Sequence, residues 1–522
     1  MTDRPIAQQP SPENPIITAP RGSVTVLSAQ VFLAALAALA LRLLFVLRFP
    51  ASAGDSDLYF QLSRSLLDHH SYGLWLNGQL IPTDLRVPGY PAFLAGVTIL
   101  LRRSAVAISL SQVLLDMATC FLTAALAAAL APRVVRRRVW LAGLWLAATC
   151  PFVANYSAVI LTEVLATFFT TAALVCFVLG LGQIPRDLEP PPGSRRMTPF
   201  QNTVLGAFLT GLATMVRPEM PLLLAVAGLI YAVRWWRVVA FRKLLLQGSA
   251  MAGALMLPLL PWAARNFFTL HEVQFISPRY ATLPGEYAPI GYYAWTGTWL
   301  ERYRDAFSSV WAISEEPMSL DDTPAAAFDS PGEKARVAAL FDAYNRDPGL
   351  DISPEVDREF AQIARERTRR HPFRTYVRVP FQRALTLWFT PRVELLPIDG
   401  NMFPLRDQWQ DSRANVITIA VFAALGYLYV ALAFAGIWFA RREARAGGAS
   451  DSRHSWNSWG IALIVAYCIV RTAFLTTVEA PEPRYVVSCY PAVLSLIALL
   501  FAGRERRASQ TLGDSSTGRG FE

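Results

Sequence analysis

The chain is 522 residues long, 53% hydrophobic and only 17% charged, with a mean hydropathy of +0.32. That balance excludes a soluble multidomain protein, whose surface needs more charge. The net charge of +9 would suit nucleic acid, but the arginines sit in short loops between apolar runs and no RNA-binding or helix-turn-helix motif accompanies them, so nucleic acid is not an expected partner.

Residues 1–24 are polar and proline-rich and read as a disordered cytoplasmic tail rather than a secretory signal. A first span covers about 25–48, and GDSDLYFQLSR (54–64) follows it directly, placing Asp55 and Asp57 where a helix has just left the bilayer. Leu58, Leu62 and Leu66 recur every four residues, which predicts an amphipathic helix lying on the membrane surface, capped by Ser56 or Asp57. VPGYPAFLAGVTILL (87–101) is short for a span and reads as a re-entrant or interfacial helix; were it to cross, every later loop would change sides. Further spans are expected near 104–131, 139–157, 160–181, 200–216, 218–233 and 244–262. A hydrophilic region, 263–412, separates these from spans near 413–440, 457–475 and 485–502 and a tail at 503–522. The five cysteines (Cys120, Cys150, Cys176, Cys468, Cys489) lie inside apolar segments without metal-ligand spacing and read as small buried side chains.

With ten spans, the basic stretches 132–138, 186–196, 234–243, 441–453 and 503–507 share one side, which the positive-inside rule makes cytoplasmic. The opposite face then collects Asp55, Asp57, Arg86, Glu163, Arg217 with Glu219, the 263–412 region, and Glu479, Glu482 and Arg484. Ionisable groups gathered at one membrane face mark a functional site.

Several stretches in chain order carry a resemblance: GDSDLYFQLSRSLL, RVPGYPAFLAG, YSAVILTEVLATFF, MVRPEMPLLL, LPWAARNFF and EPRYVVSCYPAVL. The arrangement resembles the GT-C superfamily of integral-membrane glycosyltransferases. Its nearest match is family 39, which includes the protein O-mannosyltransferases and the bacterial aminoarabinose (lipid A) transferases. The resemblance implies an all-α polytopic fold, a GT-C-type bundle of about ten or more transmembrane helices with an extracytoplasmic loop domain. It also implies a polyprenyl-phosphate sugar donor, used on the outer face to glycosylate a hydroxyl of a protein, lipid or glycan. The implied setting is the bacterial inner membrane, with the active site facing the periplasm.

Such chemistry needs a base for the acceptor hydroxyl and cationic groups for the phosphate leaving group, and a single displacement should invert the anomeric centre. By resemblance, Asp55 matches the base of the first outer loop (49–103), and Glu163 matches a second acidic position. Arg86, Arg265 and the Arg484–Tyr485 pair are candidates for the donor phosphate, and Asp57 and Tyr59 for substrate contact. Each has a plainer reading beside it. Glu163 equally suits the N-terminus of its helix, and Arg484 could be an interfacial side chain reaching for headgroups. Arg217 and Glu219 flank Pro218 and read as an ion pair fixing a kink rather than as catalysts.

No cofactor is indicated. His69, His70 and His271 have no ligand spacing, so a tight structural zinc is not expected, while a loosely held divalent cation stays open. In the long loop, residues 288–303 are rich in aromatics, and Tyr292 and Trp295 are candidates for stacking on sugar or for the membrane interface. Residues 353–372 predict a helix started by Ser353–Pro354, and 373–389 return basic and aromatic side chains toward the bilayer. The region as a whole suits an acceptor-binding lid. The rival readings are a transporter or flippase, against which no internal repeat is visible, and a polymerase or ligase of surface polysaccharide.

Overall fold

A computed structural model of the chain describes residues 22–503 apart from 52, 102–103, 183–196, 281, 283–285, 399, 401 and 447–454. The N-terminal tail up to residue 21, the basic stretch 186–196, most of 441–453 and the tail from 504 onward lie outside the described residues.

The chain begins with α1 (Gly22–Arg48), α2 (Gly54–His69), the hairpin β1 (Gly73–Leu76) and β2 (Gln79–Pro82), and α3 (Gly89–Leu101). The bundle continues through α4 (Ala105–Leu130), α5 (Arg136–Ala148), α6 (Pro151–Ala154), α7 (Glu163–Gly182), α8 (Pro199–Thr214), α9 (Pro221–Trp235) and α10 (Phe241–Leu270). A loop domain holds α11 (Ile290–Thr296), α12 (Pro331–Asn345), α13 (Pro354–Arg370), α14 (Val379–Phe389) and α15 (Leu405–Asp411). The chain then returns through α16 (Arg413–Ala446), α17 (Ser458–Leu475) and α18 (Tyr490–Ala498), the last preceded by a 3-10 turn at Pro483–Cys489.

Helices occupy all ten expected span positions, but among the described residues only seven are long and apolar enough to cross a membrane alone. An eighth is made by α5 and the segment Pro151–Ala158, which meet at a 52° bend where Pro151 removes a backbone donor. The remaining two, α8 and α9, have 16 and 15 residues. They stop short at Arg217–Pro218–Glu219 because the turn between them faces a polar cavity, where protein rather than lipid surrounds the backbone. The short α3 does not traverse the bundle. The Gly89 N–H donates to Met215 O at 2.7 Å, and Tyr90 OH donates to Gln112 Oε1 of α4 at 2.8 Å, so α3 folds back beside α4. A Cβ at Gly89 would lie 2.4 Å from Met215 O, so only glycine permits that approach.

One expectation is overturned at α2. Its leucine face packs on protein instead of lying on lipid: Leu62 is buried in a cluster with Tyr72, Leu74, Leu255, Leu259 and Trp262. Of the two expected capping residues, Ser56 takes part in the cap. The helix starts at Gly54, and Ser56 Oγ accepts from the Ala53 N–H and donates to Ile160 O, while Asp57 points to solvent.

The loop domain has its own core around Trp295, Trp299, Val337, Phe341, Phe360 and Ile363. The expected helix is present as α13, with Ser353 Oγ accepting from the Val356 N–H. Deep in the bundle, a backbone crossing joins α16 to α18: a Cβ at Gly436 would sit 2.0 Å from Leu496 O. Small residues permit such approaches between membrane helices.

Arg42 of α1 is a charge with no exposure. Its Nε pairs with Asp116 Oδ2 of α4 at 2.8 Å, and Nη1 donates to Ala148 O of α5 at 2.8 Å. Three helices are thereby held by one guanidinium whose donors are used. Removing one partner of a buried pair leaves an uncompensated charge and typically costs about 3–5 kcal/mol. Asp116→Ala should therefore lower stability by roughly that amount in detergent unfolding, and an Arg42→Met, Asp116→Leu double variant should recover most of it.

Candidate active site

At the end of the bundle under the loop domain lies a cavity of about 900 Å³. The first two turns of α2 supply Asp55 and Tyr59, the approach to α3 supplies Arg86, and the α8–α9 turn supplies Arg217 and Glu219. The stretch between α17 and α18 supplies Glu479, Glu482, Arg484 and Tyr485. Its walls differ. Pro221, Leu222, Ala225, Phe474 and Leu475 form an apolar flank of membrane helices, while Tyr280, Tyr293 and Trp311 of the loop domain close the other side.

Asp55 stands at the centre of the charged floor. Its Oδ1 accepts from Arg86 Nη2 at 3.0 Å and its Oδ2 from Arg484 Nη2 at 3.1 Å. Burial works to raise the Asp55 carboxyl, but the two guanidinium groups prevail and hold it below the usual carboxylate range. Arg484 also pairs with Glu482, whose Oε1 accepts from Tyr485 OH at 2.5 Å. Tyr59, on the next turn from Asp55, has its hydroxyl pushed up to about 12 by burial and by the Asp55 charge, so it stays protonated and can only donate or accept a hydrogen bond.

A second network runs behind the floor. Arg217 Nη2 pairs with Glu163 Oε1 at 2.5 Å, and its Nε donates to Thr162 Oγ1 at 3.2 Å. Its Nη1 lies 3.6 Å from Glu219 Oε1, and the guanidinium covers the Tyr485 ring at 5.2 Å. Glu219 is shared with Arg471 of α17 at 3.0 Å, and Arg471 in turn donates to Tyr485 O at 3.0 Å. The kink reading of Arg217 and Glu219 is thus incomplete. The closer partner of Arg217 is Glu163, and Arg217 faces the cavity.

Asp55, Tyr59, Arg86, Arg484 and Tyr485 line this cavity together. The other candidates are elsewhere. Glu163 is 3% exposed and reaches the cavity only through Arg217. Arg265 sits under the hairpin, donating to Thr83 O at 3.0 Å and to Tyr72 O, with its guanidinium against the Trp262 ring; it pins β1 and β2 to α10 and is not at the cavity wall. Tyr292 and Trp295 are 1% and 0% exposed in the loop-domain core, where no sugar can stack; Tyr293, their neighbour, faces the cavity instead. Asp57 is exposed on the outside of α2. Tyr293 lies in the aromatic stretch 288–303 that the sequence singles out, but aromatic density does not tell a core face from a cavity face; Tyr280 and Trp311 lie outside that stretch and were not anticipated.

Among the described residues, no group of three His, Cys, Asp or Glu side chains comes together as a metal set. Each cavity carboxylate already faces a guanidinium: Asp55 with Arg86, Glu219 with Arg471, Glu479 with Arg279 and Glu482 with Arg484. A divalent cation bound there would have to take a carboxylate oxygen from its guanidinium partner.

No protein-family model and no curated protein matches the chain. Solved structures with a similar fold include the oligosaccharyltransferase AglB from Archaeoglobus fulgidus in complex with an inhibitory peptide and a dolichol-phosphate. It shares 13% identity over 96% of this chain and 53% of its own, with a TM-score of 0.47. The same archaeal oligosaccharyltransferase with Zn and sulfate gives 14% identity over 93% and 51%, with a TM-score of 0.45. ArnT from Cupriavidus metallidurans bound to undecaprenyl phosphate gives 16% identity over 96% of this chain and 82% of its own, with a TM-score of 0.34. The chain thus spans about half the length of the oligosaccharyltransferases it matches.

The two arginine contacts make a pH test. Because Asp55 titrates below its unfolded value of about 4, its ion pairs contribute stability above that pH and lose it as pH falls through the folded value. Asp55→Asn should unfold at lower temperature than the unaltered protein at pH 7, and the gap should close below about pH 4. A gap constant with pH would contradict the assignment.

Proposed function

We propose that the protein is a membrane glycosyltransferase that moves a sugar from a polyprenyl-phosphate donor to an acceptor hydroxyl. The observation that carries this reading is the Asp55 carboxylate, set between Arg86 and Arg484 on the floor of a cavity with one apolar flank of membrane helices. The cavity offers what such a reaction requires: a base, cations for a phosphate, and an apolar wall for a lipid chain.

In this reading Asp55 takes the proton of the acceptor hydroxyl as its oxygen forms a bond to the anomeric carbon. The bond from that carbon to the phosphate oxygen breaks in the same step, and its electron pair stays on the phosphate. Polyprenyl phosphate leaves, and the anomeric centre is inverted. The leaving group needs no proton, only charge stabilisation, which Arg86, Arg484 and Arg217 supply. Glu163 acts as a positioning residue that orients Arg217, in place of the catalytic role assigned to it from sequence. The basic loops support an active site on the outer side of a cell membrane, with the loop domain as the wall against which the acceptor enters.

Asp55→Asn should cut transfer about a hundredfold or more, the usual scale for losing a general base. Arg217→Gln should cut it about tenfold to a hundredfold, with Glu163→Gln giving a smaller loss in the same direction. The assay is sugar transfer from polyprenyl-phosphate donors by the full chain in detergent or membranes. If the unaltered protein consumes no such donor but moves lipid-linked substrates across vesicles, the transferase reading falls and the transporter reading replaces it.

A further inference from the structure

The cavity wall is balanced in charge. Four arginines (Arg86, Arg217, Arg279, Arg484) and four carboxylates (Asp55, Glu219, Glu479, Glu482) line it among the described residues. Behind them Glu163 and Arg471 add one more of each sign. A cluster built only to capture an anion would carry surplus positive charge. Here a phosphodiester brings its negative charge into a wall that has none to spare, and a charge moved out of water without a partner is costly.

The two guanidinium groups at the centre make the conflict local. Arg86 Nη2 and Arg484 Nη2, the nitrogens that hold Asp55, belong to the arginines on which the proposed reading places the phosphate. A phosphate oxygen on either nitrogen would lie beside the Asp55 carboxylate, and two anions on one cation repel each other. One of the carboxylates must yield. Glu482 is poorly placed to do so: its side chain is 6% exposed, and it is held by both Arg484 and the Tyr485 hydroxyl. Asp55 is 24% exposed and is held by the two arginines. It is a short side chain on the first turn of a helix, and a change of χ1 would carry its carboxylate away from the two guanidinium groups.

Resting on the reading that the donor is a polyprenyl phosphate, we infer that the donor phosphate and Asp55 compete for Arg86 and Arg484, so that donor binding displaces the carboxylate and thereby frees the catalytic base. Glu482 is the positioning residue that keeps Arg484 in place through the exchange. A carboxylate whose oxygens accept from two guanidinium groups is a poor proton acceptor, and its basicity returns when those contacts pass to phosphate. The base is thus competent only when a donor is seated, which imposes an order of donor before acceptor and protects against abortive proton transfer.

The exchange predicts a sign that a merely structural Asp55 would not give. With the full chain in detergent and undecaprenyl phosphate as probe, Asp55→Asn should bind the lipid roughly tenfold more tightly than the unaltered protein, although it transfers far less sugar. Arg86→Gln should bind it more weakly. In the unaltered protein, a hydrophobic carbodiimide should label Asp55 several-fold more when undecaprenyl phosphate is added, and undecaprenol, which lacks the phosphate, should have no such effect. Equal or weaker binding by Asp55→Asn overturns the exchange. So does labelling that stays level or falls, and this second readout stands even if the variant fails to fold. If the unaltered protein binds undecaprenyl phosphate no better than undecaprenol, it is the donor reading that falls.

Discussion

A guanidinium group near hydrocarbon has to be met by a carboxylate or by carbonyls, and the architecture follows from meeting that demand repeatedly. Arg42 takes Asp116 and the carbonyls of α5; Arg217 takes Glu163; Arg471 takes Glu219; Arg484 takes Asp55 and Glu482. All but Arg484–Glu482 join elements far apart in the chain. The series Glu163–Arg217–Glu219–Arg471 links the start of α7, the α8–α9 turn and the end of α17, and through Tyr485 O it reaches the stretch that carries Arg484. Positions at the floor of the cavity are therefore set by electrostatics running behind it, in a medium where a broken pair is costly.

The two halves of the cavity are built on different principles. Its apolar flank is part of membrane helices, and its floor is made of the segments that connect them, held by ion pairs. Its other wall belongs to a domain with an aromatic core, in which Tyr292 meets Phe360 edge to face and Trp295 at a tilt, and Arg383 binds the carbonyls of Leu300 and Val478. That last contact ties the loop domain to the α17–α18 connection, so the wall and the floor share an anchor.

Much of the floor was legible in the sequence because membrane topology is. Apolar runs and basic loops place Asp55, Arg86, Arg217 and Arg484 at one face, although Asp55 and Arg484 are 429 residues apart. What topology cannot say is which member of such a set meets which. Arg265 shares that face but turns under the hairpin to satisfy carbonyls, and Arg217, read as a kink-fixing pair, turns into the cavity because Glu163 lies within reach. The loop domain was less legible still. A run with four aromatics gives no period from which to separate Tyr292 and Trp295, which fill the core, from Tyr293, which does not. At α2 the leucine period predicts a helix lying on the membrane surface, but periodicity does not distinguish a lipid surface from the flank of α10, where Leu62 is buried.

The contact of Gly436 with the Leu496 carbonyl has a consequence for heritable variation. It fixes how far α18 stands from α16, and Arg484 lies twelve residues before Leu496 on the same terminal segment. A lineage that acquired any side chain at position 436 would have to push the last helix outward and carry Arg484 with it. The lesion would be read as a loss of activity in a chain whose every cavity residue was intact, and its natural suppressors would be found at the far end of the bundle.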